Sequence, residues 1–169
     1  TNTDSTQMYV LKFTPAGTLL WDSIYGDTLY EYVNQIIEIN TGNYVIAGNT
    51  TSNSVGGDQN YLIKSIDRDG TFLWDFTIVN APIPTPDDED AMAVHQLPDN
   101  RLLITGYSKT GGSAKNIIFF HLDTFGNWAG ESNVLGNNND DDYLQSITIG
   151  NDGAYVCAGV SRSMGAGQD

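Results

Sequence analysis

The chain has 169 residues, 40% of them hydrophobic and 11% aromatic, which is enough apolar surface for a sizeable core and too much for a disordered segment. Seven Lys and Arg stand against 21 Asp and Glu, a net charge of −14 that repels nucleic-acid phosphates and anionic membrane surfaces and sets both aside as partners. No apolar run approaches the ~20 residues of a membrane-spanning helix, so membrane insertion is not expected.

The chain begins Thr1-Asn-Thr-Asp-Ser-Thr-Gln7, with no initiating Met, basic segment or apolar segment. That start fits a mature exported protein as well as a piece of a longer polypeptide. From Met8 onward, short apolar runs alternate with turn residues. Met8 to Trp21 reads as two strands about the turn Thr14-Pro-Ala-Gly17, and Val33 to Gly48 as two more about Asn40-Thr-Gly-Asn43. The first pattern returns without gaps at Tyr61 to Trp74, turning at Asp67-Arg-Asp-Gly70. The second returns at Ala91 to Gly106, turning at Pro98-Asp-Asn100. Both recur once more, at Ile117 to Gly130 and Leu144 to Gly159. Gly17, Gly70 and Gly126 are spaced by 53 and 56 residues, and Gly48, Gly106 and Gly159 by 58 and 53.

Three copies of a unit of about 53 to 58 residues therefore fill a single domain, residues 1–169, as units of about 1–53, 54–111 and 112–169. No stretch sustains apolar residues at helical spacing between caps, so the class is all-β. The runs are apolar on both faces, as in Ile117-Ile-Phe-Phe120, and such sheets must be covered on both sides. Three four-stranded antiparallel repeats, each covered by the next, describe β-propeller blades, and the fixed long period weighs against a β-sandwich. Three blades do not close a ring, since propellers have four to eight. Two completions are expected: a homodimer forming a six-bladed ring, or further blades of a larger propeller of which this chain is a fragment.

Asp67-x-x-Gly70-x-x-x-Trp74, the acidic stretch at Glu89 and the strands up to Tyr107, with Asp142 to Ser161 repeating the latter part, resemble the β-propeller repeats of large bacterial exported and surface proteins. The third unit departs from the pattern, with Trp128 two places early and Gly130 where the Trp would stand. The resemblance implies a propeller fold and a secreted or cell-surface location, and implies no particular ligand.

Several residues are candidates for chemistry. Asp87 to Asp90 and Asn137 to Asp142 are acidic loops at equivalent places, matched by Asp27 and Glu31 in the first unit. Their oxygens suit Ca²⁺, and Asp140, Asp141 and Asp142 are the first choice as ligands; no other cofactor is implied. The same acids, recurring as Glu31, Glu89 and Asp142, also fit a structural role in accepting backbone N–H groups. Trp21 and Trp74 recur at one repeat position and read as packing between neighbouring units. Tyr25, Tyr30 and Tyr107, near loop ends, are the candidate ligand-binding aromatics. His95 and His121 lie in no nucleophilic or metal motif and read as ordinary strand residues. The lone Cys157, in the apolar run Ala154 to Gly159, reads as a small buried hydrophobe.

The function expected from these features is a non-enzymatic binding or scaffold module that offers loops 26–32, 49–60, 79–90, 107–116 and 136–142 to a protein or carbohydrate partner. The rivals are a hydrolase or lyase with its site at one end of the channel, and a propeller lectin with one sugar pocket per blade.

Overall fold

A computed structural model describes residues 5–27, 29–52, 58–76, 88–109, 114–136 and 139–162, apart from the Glu131 side chain. Asp87, Asn137 and Asn138 of the acidic loops, and most of loop 79–90, lie outside the described residues.

Among the described residues twelve strands follow in order: β1 Met8–Phe13, β2 Leu19–Tyr25, β3 Glu31–Glu38, β4 Tyr44–Thr50, β5 Asn60–Ile66, β6 Phe72–Phe76, β7 Asp88–Gln96, β8 Leu102–Lys109, β9 Asn116–Leu122, β10 Trp128–Leu135, β11 Asp142–Ile149 and β12 Tyr155–Ser161. All pairings are antiparallel, and there is no helix among the described residues. The sheets are out of phase with the sequence units. Strands β3 to β6 form one four-stranded meander and β7 to β10 a second, while β1–β2 and β11–β12 remain two-stranded hairpins. Two of the three expected four-stranded sheets are thus complete, and the third set of four strands is divided between the two ends of the chain.

The six hairpin turns share one geometry. In each, the residue in the left-handed region donates its N–H three residues back, as Gly17 does to Thr14 O, Gly70 to Asp67 O and Gly126 to Asp123 O. Asn100 takes this place in the second unit, with φ 71°, where Gly42 and Gly153 stand in the others. The Asp of the Asp-x-x-Gly turn accepts two backbone N–H groups: Asp67 Oδ1 from Asp69 and Thr71, Asp123 Oδ1 from Phe125 and Asn127. This is why the repeat places a short acid at that turn.

A bulge recurs in each second hairpin, at Val33/Gln35, Ala91/Ala93 and Leu144/Ser146. Opposite each one lies the closing glycine of the repeat. A Cβ on Gly48, Gly106 or Gly159 would stand 1.9, 1.8 or 2.1 Å from a backbone oxygen of the bulged strand. Close approach of backbones, and not an unusual φ, therefore fixes these three glycines.

Apolar side chains fill the spaces between the sheets. Val45, Ala47, Tyr61 and Ile63 of the first full sheet meet Ala91, Val94, Ile104, Ile118 and Phe120 of the second. On the other face, Ile46 and Ile66 meet Met8, Val10, Trp21 and Tyr25 of the first hairpin. Trp21 and Trp74 do pack between neighbouring units. The Trp21 ring lies against Gly70 and its Nε1 donates to Arg68 O; the Trp74 ring lies against Gly126 and its Nε1 donates to Thr124 O. Trp128, displaced in sequence, stacks instead on Phe120 in its own sheet, with ring centroids 5.7 Å apart. Cys157 is only half-buried on β12, contrary to expectation, because that strand has no neighbour beyond it in its sheet.

The bulge contact gives a direct test. Gly106→Ala is expected to destabilise by more than about 2 kcal/mol, since the new methyl group meets rigid backbone. Gly17→Ala, with nothing within 4 Å of the new Cβ, is expected to cost only about 1 kcal/mol from its left-handed φ. Urea unfolding of the two variants checks the order.

Candidate binding pocket at the first sheet junction

Residues on β5 alternate between the two faces of the first full sheet. Tyr61 and Ile63 point to the second full sheet, so Leu62, Lys64 and Ile66 face the first hairpin. At the mouth of that junction lies a pocket of about 220 Å³, lined by Gly26, Asp27, Glu31, Thr50, Ser52, Tyr61, Leu62, Lys64, Asp75 and Phe76. Glu31, at the start of β3, and Lys64, in the middle of β5, are both buried. Asp27 and Asp75 stand at the solvent edge.

Gly26 makes room for the Glu31 carboxylate: at φ 135° it carries no Cβ, and one placed there would lie 2.3 Å from Oε2. Among the described residues, Glu31 Oε2 has no hydrogen-bond partner. Burial pushes this carboxyl up from the ordinary range, and the Lys64 ammonium opposes that shift. Asp27 is held low by the Ser52 hydroxyl beside it and by the Leu29 N–H. The pocket thus combines a buried carboxyl, two open carboxylates, a lysine and the hydroxyls of Thr50 and Ser52 against the apolar wall of Leu62 and Phe76.

Lys64 is the pocket residue for which the sequence analysis has no role. In the ungapped repeat it takes the place of Leu11 and Phe120, and a charge in a slot filled elsewhere by apolar groups is a signal the alignment of units carried. Its Nζ lies 5.4 Å from the Phe72 ring centroid.

The recurring acids all lie at the starts of the repeat-related strands β3, β7 and β11. Glu31, Glu89 and Asp142 are buried, and their N–H groups donate to Thr6 O, Gln59 O and Lys115 O respectively, the same contact in each copy. The Glu89 carboxyl, with neither oxygen hydrogen-bonded among the described residues, is pushed up to about 8 by burial and by the neighbouring charges of Asp88 and Asp58. Asp90 is raised by burial as well, although Asn34 Nδ2 donates to its Oδ1 at 2.7 Å.

Asp140, Asp141 and Asp142 are not gathered about one point. Asp140 is exposed; Asp141 Oδ1 accepts the Lys115 N–H at 2.9 Å, and Asp142 Oδ1 accepts the Arg162 N–H at 3.0 Å. Two of the three are turned to backbone donors, and among the described residues no group of three or more His, Cys, Asp or Glu side chains is arranged to hold a metal ion. The three candidate tyrosines are also apart. Tyr25 is half-buried, with its hydroxyl on Gly70 O; Tyr30 is exposed beside Thr51; Tyr107 is buried in the second full sheet, where the Lys115 Nζ lies 3.9 Å from its ring centroid and the Tyr143 ring meets it edge-on at 6.4 Å. His95 and His121 pair with Leu103 from opposite sides, which sets them two strands, about 10 Å, apart.

No known family model matches this chain, and no curated protein matches it at a significant level.

The raised acids have a consequence for stability. The folded state holds protons on Glu89, Glu31 and Asp90 that the unfolded chain has released, so stability falls as pH rises from the ordinary carboxylate range, near pH 4.5, toward about 8. Asp67, Asp99 and Asp123, held low by their turns, act oppositely, and their contribution is lost as pH falls below about 3.8. Thermal melts are expected to peak in mildly acidic buffer, and Glu89→Gln to flatten the decline toward pH 8. A variant that keeps the full wild-type slope would contradict the assignment.

Proposed function

We propose that the chain is a set of β-propeller blades serving as a non-enzymatic binding module of a secreted or cell-surface protein, and that its partner presents a hydroxyl-rich glycan to the pocket at the first sheet junction. Support for the blades comes from the serial stacking of antiparallel sheets, with Trp21 on Gly70 joining the first hairpin to the first full sheet and Trp74 on Gly126 joining the two full sheets. The glycan is favoured over a protein partner by the chemistry of the lining. Carboxylates accept from hydroxyls, lysine and serine donate to them, and Leu62 with Phe76 offers the apolar contact that sugar C–H faces need.

The observation that carries the reading is Lys64. Leu or Phe fills this slot in the other two units, and a buried charge is generally no better for stability than a well-packed apolar residue. A lysine retained there is accounted for by recognition. Restoring the apolar residue separates the two roles: Lys64→Leu is expected to keep or raise the melting temperature while weakening glycan binding at least tenfold. A glycan array identifies the sugar, and titration calorimetry on wild type and variant reads the loss. If Lys64→Leu unfolds at markedly lower temperature, Lys64 serves to neutralise Glu31 and Asp27 and the reading fails; failure of the wild type to bind any glycan also sinks it.

A further inference from the structure

The two end hairpins are complementary halves of one sheet. In the repeat, β11 and β12 correspond to β3 and β4, and β1 and β2 to β5 and β6, so the last hairpin lacks the strands the first one supplies. In both full sheets the strand equivalent to β12 pairs in one register with the strand equivalent to β1: Tyr44↔Ile66 through Thr50↔Asn60, and Leu102↔Leu122 through Ser108↔Asn116.

The side chains bear out the vacancy. Leu11 and Phe13 on β1 are 40% and 54% exposed, whereas their counterparts Phe120 and Leu122 are 0%. On β12, Val156 is 58% exposed and its counterpart Leu103 is 0%. Long edge strands are ordinarily blunted by charge, proline or a bulge, and Tyr155-Val-Cys-Ala-Gly-Val-Ser161 carries no charge and no proline. The hairpins cannot meet through the fold described here, because β1–β2 packs on one side of the first full sheet while β11 packs on β7, β8 and β9 of the second.

We propose that β12 of one copy takes β1 of a second copy as its neighbour, in the register Tyr155↔Phe13, Val156↔Lys12, Cys157↔Leu11, Ala158↔Val10, Gly159↔Tyr9, Val160↔Met8 and Ser161↔Gln7. Made reciprocally, the exchange gives a two-fold dimer in which two composite sheets join the four complete ones, a count that suits a closed propeller. The pairing rests on the blade reading above and is independent of the pocket, so loss of glycan binding leaves it untouched. Because each copy carries −14, association strengthens as salt screens the repulsion.

Cys157 supplies the test. Directly opposed residues in an antiparallel pair have Cα atoms about 4.5 to 5.5 Å apart, within disulfide range, while diagonal neighbours are at about 7 to 8 Å. Under mild oxidation Leu11→Cys is expected to give a covalent dimer through Cys157, reversed by reductant. Tyr9→Cys and Phe13→Cys, one diagonal step away, are expected to cross-link at least tenfold more slowly. The unaltered chain is expected to show twice its 18.4 kDa by light scattering at high salt, which keeps the proposal testable if a variant misfolds. A monomer at every salt and protein concentration, a disulfide closed within one chain, or equal cross-linking in all three variants overturns it. Open-ended oligomers with the Leu11→Cys bond in place support the strand pairing and refute the closed ring.

Discussion

Strands that are apolar on both faces cannot be stable in a sheet by itself, and this constraint governs the molecule. Strand β4 sends Val45 and Ala47 to one neighbour and Ile46 to the other. A sheet so built has to lie between two others, which makes stacking obligatory and the row of sheets directional. The turn glycines are part of the same requirement. Gly70 and Gly126 complete their own turns with a left-handed φ and also present the bare surface on which Trp21 and Trp74 of the preceding unit rest. One residue type thereby satisfies the turn and the sheet-to-sheet contact together.

The same stacking creates the pocket. A lysine at position 64 faces the first hairpin from within a row of apolar side chains, and the sheets cannot close fully over an ammonium group. Beside it, burial costs the Glu31 carboxyl its hydration and favours the neutral form, a shift that the Lys64 ammonium opposes. Glu89, the repeat-related acid, rises to about 8 through burial and the neighbouring charges of Asp88 and Asp58. Both acids are thus raised by burial first, and then tuned by the charges that each unit places beside them.

Much of the fold was legible in the sequence because its rules are local and threefold repeated. Gly17, Gly70 and Gly126 marked turns, Trp21 and Trp74 marked contacts between units, and two-faced apolar runs required covered sheets. The phase of the sheets was not legible, since strand partners are set by pairing across a connection and the repeat has no intrinsic starting point. The bulge escaped notice for a related reason: nothing in Asn34, Met92 or Gln145 marks a residue left unpaired, although the glycine opposite recurs. The candidate site was the least legible. Tyr25, Tyr30 and Tyr107 are aromatic and near loops, but the structure turns Tyr25 to Gly70 O, and Asp141 and Asp142 to neighbouring backbone. The informative signal was a departure from the repeat, at Lys64, and not a feature that the repeat shares.

Charge and edge strands complete the picture. A chain with β12 open and uncharged would be prone to add any extended peptide, since backbone hydrogen bonding along an edge is indifferent to sequence. Side-chain register narrows that choice: the residues of β12 bury well only against a strand whose apolar positions fall in step with Cys157, Ala158 and Val160, as Leu11, Val10 and Met8 do. A one-residue slip would turn Leu11 and Phe13 to the wrong face. Specificity at this edge therefore comes from side-chain register laid over a promiscuous backbone, the same division of labour that holds β4 to β5 and β8 to β9 inside the complete sheets.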